Sequence, residues 1–190
     1  GDYILTDIDQ DSRTEVAIVR IDPSLTNSGV DVYGWKDSAF KKLSTAPLST
    51  GVVSVGRGGV EENFINGDPP VRALYVSSEL SDGSHVVDVI AYQQGKLTNI
   101  SLAPETGISR ETLSRYVDLE PSDVNGDGVL ELPQPSPLPG QEDSTASDYW
   151  LIDWYQYQET GERDHVMTTY HNVTDSWYLV IPQEWEGKIT

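Results

Sequence analysis

Short apolar runs separated by polar turn residues dominate the chain, and three of these runs share one pattern. VDVYGW at 30–35, VDVIAY at 87–92 and IDWYQY at 152–157 each read apolar, Asp, apolar, two variable residues and a large aromatic residue. The copies begin at residues 30, 87 and 152, so they are spaced by 57 and 65 residues. Three copies of one pattern at a near-constant spacing predict an internal repeat.

The segments around each copy support three repeat units. A second apolar run precedes each copy, as EVAIVRI at 15–21, VRALYVS at 71–77 and VLEL at 129–132. Downstream of the first copy, LSTAPLSTG at 43–51 is matched by ISLAPETG at 100–107 in the second unit. We therefore divide a single domain, residues 1–190, into units at about 1–50, 51–107 and 108–190.

The apolar runs predict strands rather than helices. They are short, rich in Val, Ile, Tyr and Trp, and bounded by Gly, Pro, Asp and Ser. SSELSDGSH at 77–85 and YQQGKL at 92–97 contain tight turns between such runs. Only 109–117 has the composition of a short helix, and the Pro- and Ser-rich segment 133–148 predicts an extended surface loop. The sequence thus predicts an all-β protein of three β-propeller-type blades of antiparallel strands.

Composition and charge narrow the classes of partner. The 190 residues include 31 Asp and Glu against 12 Lys and Arg, which gives a formal net charge of −19. Nucleic acid is disfavoured as a partner, because a phosphate backbone binds basic faces. The absence of cysteine excludes disulfides and thiolate metal sites, and no apolar run is long enough for a membrane-spanning segment. Converging carboxylates instead favour divalent cations.

Residues 123–131, DVNGDGVLE, alternate oxygen-bearing side chains with other residues. The side chains fall at positions 1, 3, 5 and 9 and belong to Asp123, Asn125, Asp127 and Glu131. The backbone carbonyl of Val129 is available at position 7. Carboxylates crowded into one turn repel each other unless a cation lies among them. Because Ca²⁺ takes about 6–8 oxygen ligands, this segment, the second acidic loop, predicts a structural calcium site.

The first acidic loop, residues 7–15, repeats this arrangement near the start of the chain. The matching groups are the side chains of Asp7, Asp9, Asp11 and Glu15, with the backbone carbonyl of Arg13. Ser12 replaces Gly128 here, so we expect a more strained backbone. An EF-hand has its last acid at position 12 and helices on both sides, whereas position 12 is Ile18 or Gln134 here and a strand pattern follows. Solvated Asp and Asn turns are the alternative to calcium.

The spacing of the acids and the strand after them resemble the calcium loops of FG-GAP and VCBS repeats, the blades of integrin-type β-propellers. The resemblance implies that each loop joins the innermost strand of a blade to the second strand. It is specific over about ten residues in two units and extends over the chain through the repeat. The middle unit has NFINGDPPV at 63–71 in this position and lacks the acids, which predicts a structural turn there. The Phe-Gly and Gly-Ala-Pro signatures of the family are also missing.

Two further sets of residues have an architectural interpretation. The same place in each copy is held by Asp31, Asp88 and Asp153, and repetition favours a structural role over a catalytic one. Trp35, Tyr92 and Tyr157 also share a register, which predicts aromatic packing between blades. The third unit is dense in aromatic residues, namely Tyr149, Trp150, Trp154, Tyr155, Tyr157, Tyr170, Trp177, Tyr178 and Trp185. Burial in strand cores is their ordinary explanation, and a sugar-stacking surface is the alternative.

The resemblance implies a non-enzymatic calcium-binding module that mediates adhesion or binds a protein or glycan ligand. The resemblance implies an exported, extracellular or surface-anchored protein, such as the lipid-anchored proteins that carry VCBS-type repeats. Three blades are fewer than the usual 4–8. Further blades of the same chain, an open arc or partner chains would account for this, and 184–190 reads as a strand entering another unit. The alternative function is a carbohydrate-active enzyme or its glycan-binding accessory domain.

Overall fold

The computed structural model describes residues 1–113, 119–138, 149–172, 174–185 and 188. Within these residues the chain forms thirteen strands and one short 3-10 helix, Gln183–Trp185. The strands make three antiparallel sheets, each an open series of neighbouring strands. The predicted all-β class is therefore confirmed. No helix in the described part of the chain is long and apolar enough to cross a membrane.

Each sheet pairs its strands in chain order. Sheet 1 contains β1 (Asp2–Thr6), β2 (Glu15–Arg20), β3 (Gly29–Lys36) and β4 (Ala39–Pro47). Sheet 2 contains β5 (Val52–Ile65), β6 (Val71–Leu80), β7 (His85–Gln93) and β8 (Lys96–Asn99), and β9 (Thr112–Leu113) also pairs with β7. Sheet 3 contains β10 (Leu132–Pro137), β11 (Tyr149–Tyr157), β12 (Arg163–Asn172) and β13 (Trp177–Ile181).

The three copies of the apolar-Asp pattern lie on β3, β7 and β11. In sheets 1 and 2 this is the third strand. In sheet 3 the first position is reduced to a bridge between Ser122 and Glu131, which matches the pairing of Thr6 with Glu15 in sheet 1. Sheet 3 therefore begins with a remnant of the β1 position and adds β13 at the far edge.

Sheet 2 packs against sheet 1 on one face and against sheet 3 on the other. The first apolar cluster joins residues of sheets 1 and 2, among them Val19, Val32, Leu74, Val76 and Ile90. The second cluster joins residues of sheets 2 and 3, among them Tyr75, Val87, Val89, Leu132 and Tyr157. Because successive side chains of a strand point to opposite faces, β7 is apolar on both, and each Val, Leu or Ile buried in this way contributes about 1.5–3 kcal/mol.

The repeated aspartates have different surroundings in sheets 1 and 2. Asp88 is fully buried and accepts hydrogen bonds from the backbone N–H of Ser49 (3.0 Å), its hydroxyl (2.8 Å) and the amide of Asn99 (2.8 Å). Since Ser49 follows β4, these bonds fasten sheet 1 to sheet 2. Asp31 faces away from sheet 2 and lies 3.2 Å from the ammonium of Lys42.

The predicted helix at 109–117 is wrong where the structure describes it. Thr112–Leu113 forms β9, with Leu113 opposite His85. β8 pairs with only one end of β7, so the edge of β7 at His85 and Val86 is available to β9. The pairing of β9 with this edge outweighs the weak local helix propensity. Residues 114–118 lie outside the described residues.

The predicted loop at 133–148 is wrong over its first residues, because Leu132–Pro137 forms β10. Its prolines alternate at 133, 135 and 137, so the missing N–H groups all lie on one side of the strand, away from β11. Residues 139–148 lie outside the described residues. The strand predicted for 184–190 is also not found where described, since Gln183–Trp185 is a 3-10 helix.

Candidate metal sites

The second acidic loop is shaped by its own side chains. Three of its hydrogen bonds run from a backbone N–H back to a side-chain oxygen: Gly128 to Asp123 (3.0 Å), Asp127 to Asn125 (2.8 Å) and Val129 to Asp127 (2.8 Å). Gly126 and Gly128 have φ of 80° and 85°, the left-handed region that glycine adopts without steric cost. The coil turns these side-chain oxygens inward.

The first acidic loop joins β1 to β2 and has the same backbone course. Its hydrogen bonds follow the same offsets: Ser12 to Asp7 (3.2 Å), Asp11 to Asp9 (3.2 Å) and Arg13 to Asp11 (2.9 Å). Gln10 and Ser12 have φ of 58° and 68°, at the positions of the two glycines of the second loop. The strained backbone expected at Ser12 is therefore present, and Gln10 is a second strained residue that the sequence reading missed.

Each loop brings three carboxylates together. The groups are Asp7, Asp9 and Glu15 in the first loop and Asp123, Asp127 and Glu131 in the second. Within each group, one oxygen of every carboxylate lies within 4.8 Å of the others. The last acid of each group lies at the start of a strand and is buried, with Glu15 4% exposed and Glu131 0% exposed. Each group thus consists of two aspartate carboxylates nearer the surface and one buried glutamate carboxylate.

The other predicted ligands lie at the margin of these groups. The Asp11 carboxylate is outside the first group and lies 3.9 Å from the guanidinium of Arg13. Asn125 stays in the second loop and donates from its amide to Asp127 at 2.9 Å. The backbone carbonyls of Arg13 and Val129 remain predicted ligands. The middle unit has a short connection at 66–70, and no third group of this kind occurs in the described part of the chain.

Glu15 is the least satisfied side chain of the two sites. Its Oε2 atom is buried and has no hydrogen-bond partner within the described residues. Burial, followed by repulsion from Asp9, Asp11 and Asp7, raises the pKa of Glu15 to about 7. A hydrogen bond from the backbone of Ile8 lowers this pKa only in part. A buried carboxylate oxygen without a partner is unfavourable, and a cation among the three carboxylates would offset both the desolvation and the repulsion.

Glu131 occupies the same position in the second loop but has partners for both oxygens. Its Oε2 accepts a hydrogen bond from the N–H of Val124 (2.7 Å), and its Oε1 accepts one from the Gln156 side-chain amide (2.5 Å). The pKa of Glu131 is raised, mainly by burial and further by repulsion from Asp127 and Asp123. The hydrogen bonds from Val124 and Gln156 act in the opposite direction and lower it. The same amide donates to Asp127 at 2.7 Å.

Gln156 is a site residue that the sequence reading missed. It lies inside the repeated segment IDWYQY, but its position in the site depends on strand register. Leu132 is opposite Tyr155, so the preceding residue, Glu131, comes opposite Gln156. Gly34 is its counterpart in the repeat and neighbours Glu15 in sheet 1, so the same pairing recurs there.

A separate groove lies on the face of sheet 3 that points away from sheet 2. It has a volume of about 380 Å³, and its lining includes Trp154, Thr169, His171, Tyr178 and Asp123. The Trp154 indole donates to Thr169 at 2.8 Å, and the Thr169 hydroxyl lies 2.9 Å from His171 Nε2. The ring of His171 stacks on Tyr178 with 5.3 Å between centroids, and burial lowers the pKa of His171. The groove therefore combines aromatic faces with hydrogen-bonding groups.

The chain was compared with protein-family models, with curated proteins and with solved structures. None of the three comparisons finds a match. The function is therefore inferred from the fold and from the geometry of the two loops and the groove.

Proposed function

We propose that the chain is a non-enzymatic calcium-binding module of β-propeller type, in which each acidic loop holds one structural Ca²⁺. The observation that carries this proposal is the buried Oε2 of Glu15, which has no hydrogen-bond partner within the described residues and belongs to a carboxylate grouped with those of Asp7 and Asp9. The repetition of the same backbone conformation in the second loop supports it. Loops of this kind offer only oxygen ligands, from side chains and one backbone carbonyl, which suits a hard cation.

The arrangement of the sheets supports the propeller part of the proposal. Three meandering sheets stack face to face in chain order, and the first acidic loop joins the first strand of its sheet to the second. Sheet 1 has an outer face, which points away from sheet 2. In the repeat, this face is equivalent to the face of sheet 2 that packs against sheet 1. Tyr3, Leu5 and Trp35 are exposed there, at 68%, 62% and 64%. We infer that a further sheet of the same design packs on this face.

The metal also bears on location and role. Extracellular modules bind calcium with dissociation constants of about 10⁻⁴–10⁻³ M, and so a structural calcium site of this affinity is filled outside the cell. An exported or surface-anchored protein that mediates adhesion or binds a protein or glycan ligand fits such a site. The net charge of −19 favours solubility in that setting.

The direct test is thermal unfolding of the chain in calcium and in chelator. We expect calcium to raise the melting temperature, since a ligand that binds only the folded state stabilises it by mass action. Glu15→Gln and Glu131→Gln should each lose part of this increase, whereas Glu105→Gln, a change at an exposed acid outside both loops, should keep all of it. A melting temperature that is equal in calcium and chelator, with no calcium binding by calorimetry, would contradict the proposal.

A second candidate function is glycan binding at the groove of sheet 3, which the stacked His171 and Tyr178 rings favour. Aromatic faces with nearby hydrogen-bonding groups are suited to sugar rings. Titration with a panel of oligosaccharides should then give binding that Tyr178→Ala removes. Trp35→Ala, which changes an exposed aromatic residue on sheet 1, is the matched control. Binding that survives Tyr178→Ala would exclude this groove.

A further inference from the structure

We propose that Gln156 is an internal substitute for the metal ion in the second acidic loop and that it sets the calcium affinity of this loop below that of the first. This inference rests on the proposed calcium function and adds a specificity-determining residue to it. Gln156 lies on β11, outside the loop, and is 6% exposed.

The contacts of the Gln156 amide carry the inference. Its nitrogen donates to Glu131 Oε1 at 2.5 Å and to Asp127 Oδ2 at 2.7 Å. These two acids belong to the group whose oxygens converge within 4.8 Å. One NH₂ group thus bridges two of the three carboxylates and presents its partial positive charge where they converge. Hydrogen bonds of this kind to charged acceptors are the strong ones.

The first loop offers an internal comparison, because it lacks this donor. Gly34 is opposite Glu15 as Gln156 is opposite Glu131, and glycine has no side chain to donate. A Cβ at residue 34 would lie 2.8 Å from Leu43 Cδ1 and 3.1 Å from Glu15 Cγ, so a larger residue here would require both side chains to shift. Glu131 thus receives a side-chain donor from the neighbouring strand at Oε1, whereas Gly34 offers none to Glu15 Oε1, the oxygen on its side of the carboxylate.

Binding of Ca²⁺ therefore has different consequences in the two loops. In the first loop the ion gives the buried Glu15 carboxylate, whose Oε2 has no hydrogen-bond partner within the described residues, an oppositely charged neighbour. In the second loop it competes and exchanges with the Gln156 NH₂, because this amide already donates to one oxygen of Glu131 and one of Asp127. Two charge-assisted hydrogen bonds are lost in that exchange. Calcium therefore adds a partner to the first loop and replaces an existing donor in the second.

The test measures each loop alone by calcium titration calorimetry of the full chain. Asp7→Asn with Asp9→Asn disables the first loop, and Asp123→Asn with Asp127→Asn disables the second. With Gln156 in place, we expect the first loop to bind about tenfold more tightly than the second, which corresponds to the loss of one net hydrogen bond to a charged group. Equal affinities, or a tighter second loop, would overturn the inference.

A substitution at the residue itself is the second arm. In the chain with the first loop disabled, Gln156→Met keeps the volume and removes the donor, and we expect about tenfold tighter calcium binding. Gln158→Met, which changes a glutamine just beyond β11 that contacts Asp164 instead, should leave the affinity unchanged. Unchanged affinity in Gln156→Met would show that the amide does not compete, and weaker affinity would show that it is a ligand through its oxygen. Either result overturns the inference and leaves the calcium function standing, whereas no calcium binding to the unaltered chain overturns both.

Discussion

At the residue scale, Asp88 shows how one buried carboxylate fastens two sheets. It has no exposed surface, and all three of its donors come from Ser49 and Asn99. Burial raises the pKa of Asp88, and the bonds from Ser49 and Asn99 lower it. We expect Asp88→Ala to lower the free energy of unfolding by about 3 kcal/mol, because buried donors lose their acceptor. Urea denaturation measures this loss.

Asp153 provides the control for this prediction, because it holds the same place in the repeat with a side chain that is 38% exposed. Its partners are the Thr168 hydroxyl at 2.6 Å and His165 at 3.4 Å. Asp153→Ala should cost less than about 1 kcal/mol, since exposed pairs contribute little. Similar losses for the two variants would show that the bonds to Ser49 are not what makes Asp88 important.

These aspartates also mark what the sequence can predict about single residues. The sequence predicts that they share one position in the repeat, because the repeat is recognised from the order of apolar and polar residues. Their partners do not follow from it, because Lys42 and Ser49 lie outside the motif and meet Asp31 and Asp88 only through packing and pairing. Gln156 lies inside the motif but was also missed, because its contact with Glu131 depends on strand pairing. A ligand set within one loop can be read from spacing, whereas a neighbour on the next strand depends on register.

At the element scale, the two acidic loops have the same conformation built from different residues. Ser12 has φ of 68° where Gly128 has φ of 85°, and a Cβ at residue 128 would meet nothing within 4 Å. The left-handed conformation costs a non-glycine residue about 1–2 kcal/mol. We therefore expect Ser12→Gly to stabilise the chain and Gly128→Ser to destabilise it, each by about 1 kcal/mol, in calcium-free denaturation experiments.

The pair of substitutions is its own control, because the same two residue types are exchanged in opposite directions. Gly83→Ser, at a hairpin turn with φ of 81° and open space around it, should cost a similar amount without changing calcium binding. A loss of stability in Ser12→Gly would mean that the Ser12 side chain makes a contribution larger than the backbone strain.

Strands were predictable where apolar and polar residues follow a clear local pattern, as in β3, β7 and β11. The pattern fails where pairing alone decides. Leu132–Pro137 is rich in proline, yet it forms β10 because its prolines alternate on one side of an edge strand. Thr112–Leu113 forms β9 because β7 offers a free edge beyond β8. Such elements are set by tertiary contacts, which propensity does not contain.

At the scale of the whole molecule, neither of the two apolar clusters includes the outer face of sheet 1, and no other described strand packs on it. Leu5 and Ile18 are 62% and 40% exposed on this face, next to Tyr3. The corresponding face of sheet 2 is buried under sheet 1. If the outer face of sheet 1 binds a further sheet of the same design, the isolated chain should self-associate through it, because an exposed apolar patch is an interaction surface.

Leu5→Lys with Ile18→Lys tests this directly. Sedimentation velocity over a range of concentrations should show the unaltered chain associating and the double variant remaining monomeric. Because both side chains are exposed, the free energy of unfolding should change by no more than about 0.5 kcal/mol. Val53→Lys, at a residue that is 39% exposed on sheet 2, is the control and should leave association unchanged. An unaltered chain that stays monomeric at every concentration would show that the outer face of sheet 1 is stable when exposed to water. The proposal that a further sheet packs on this face would then lose its support.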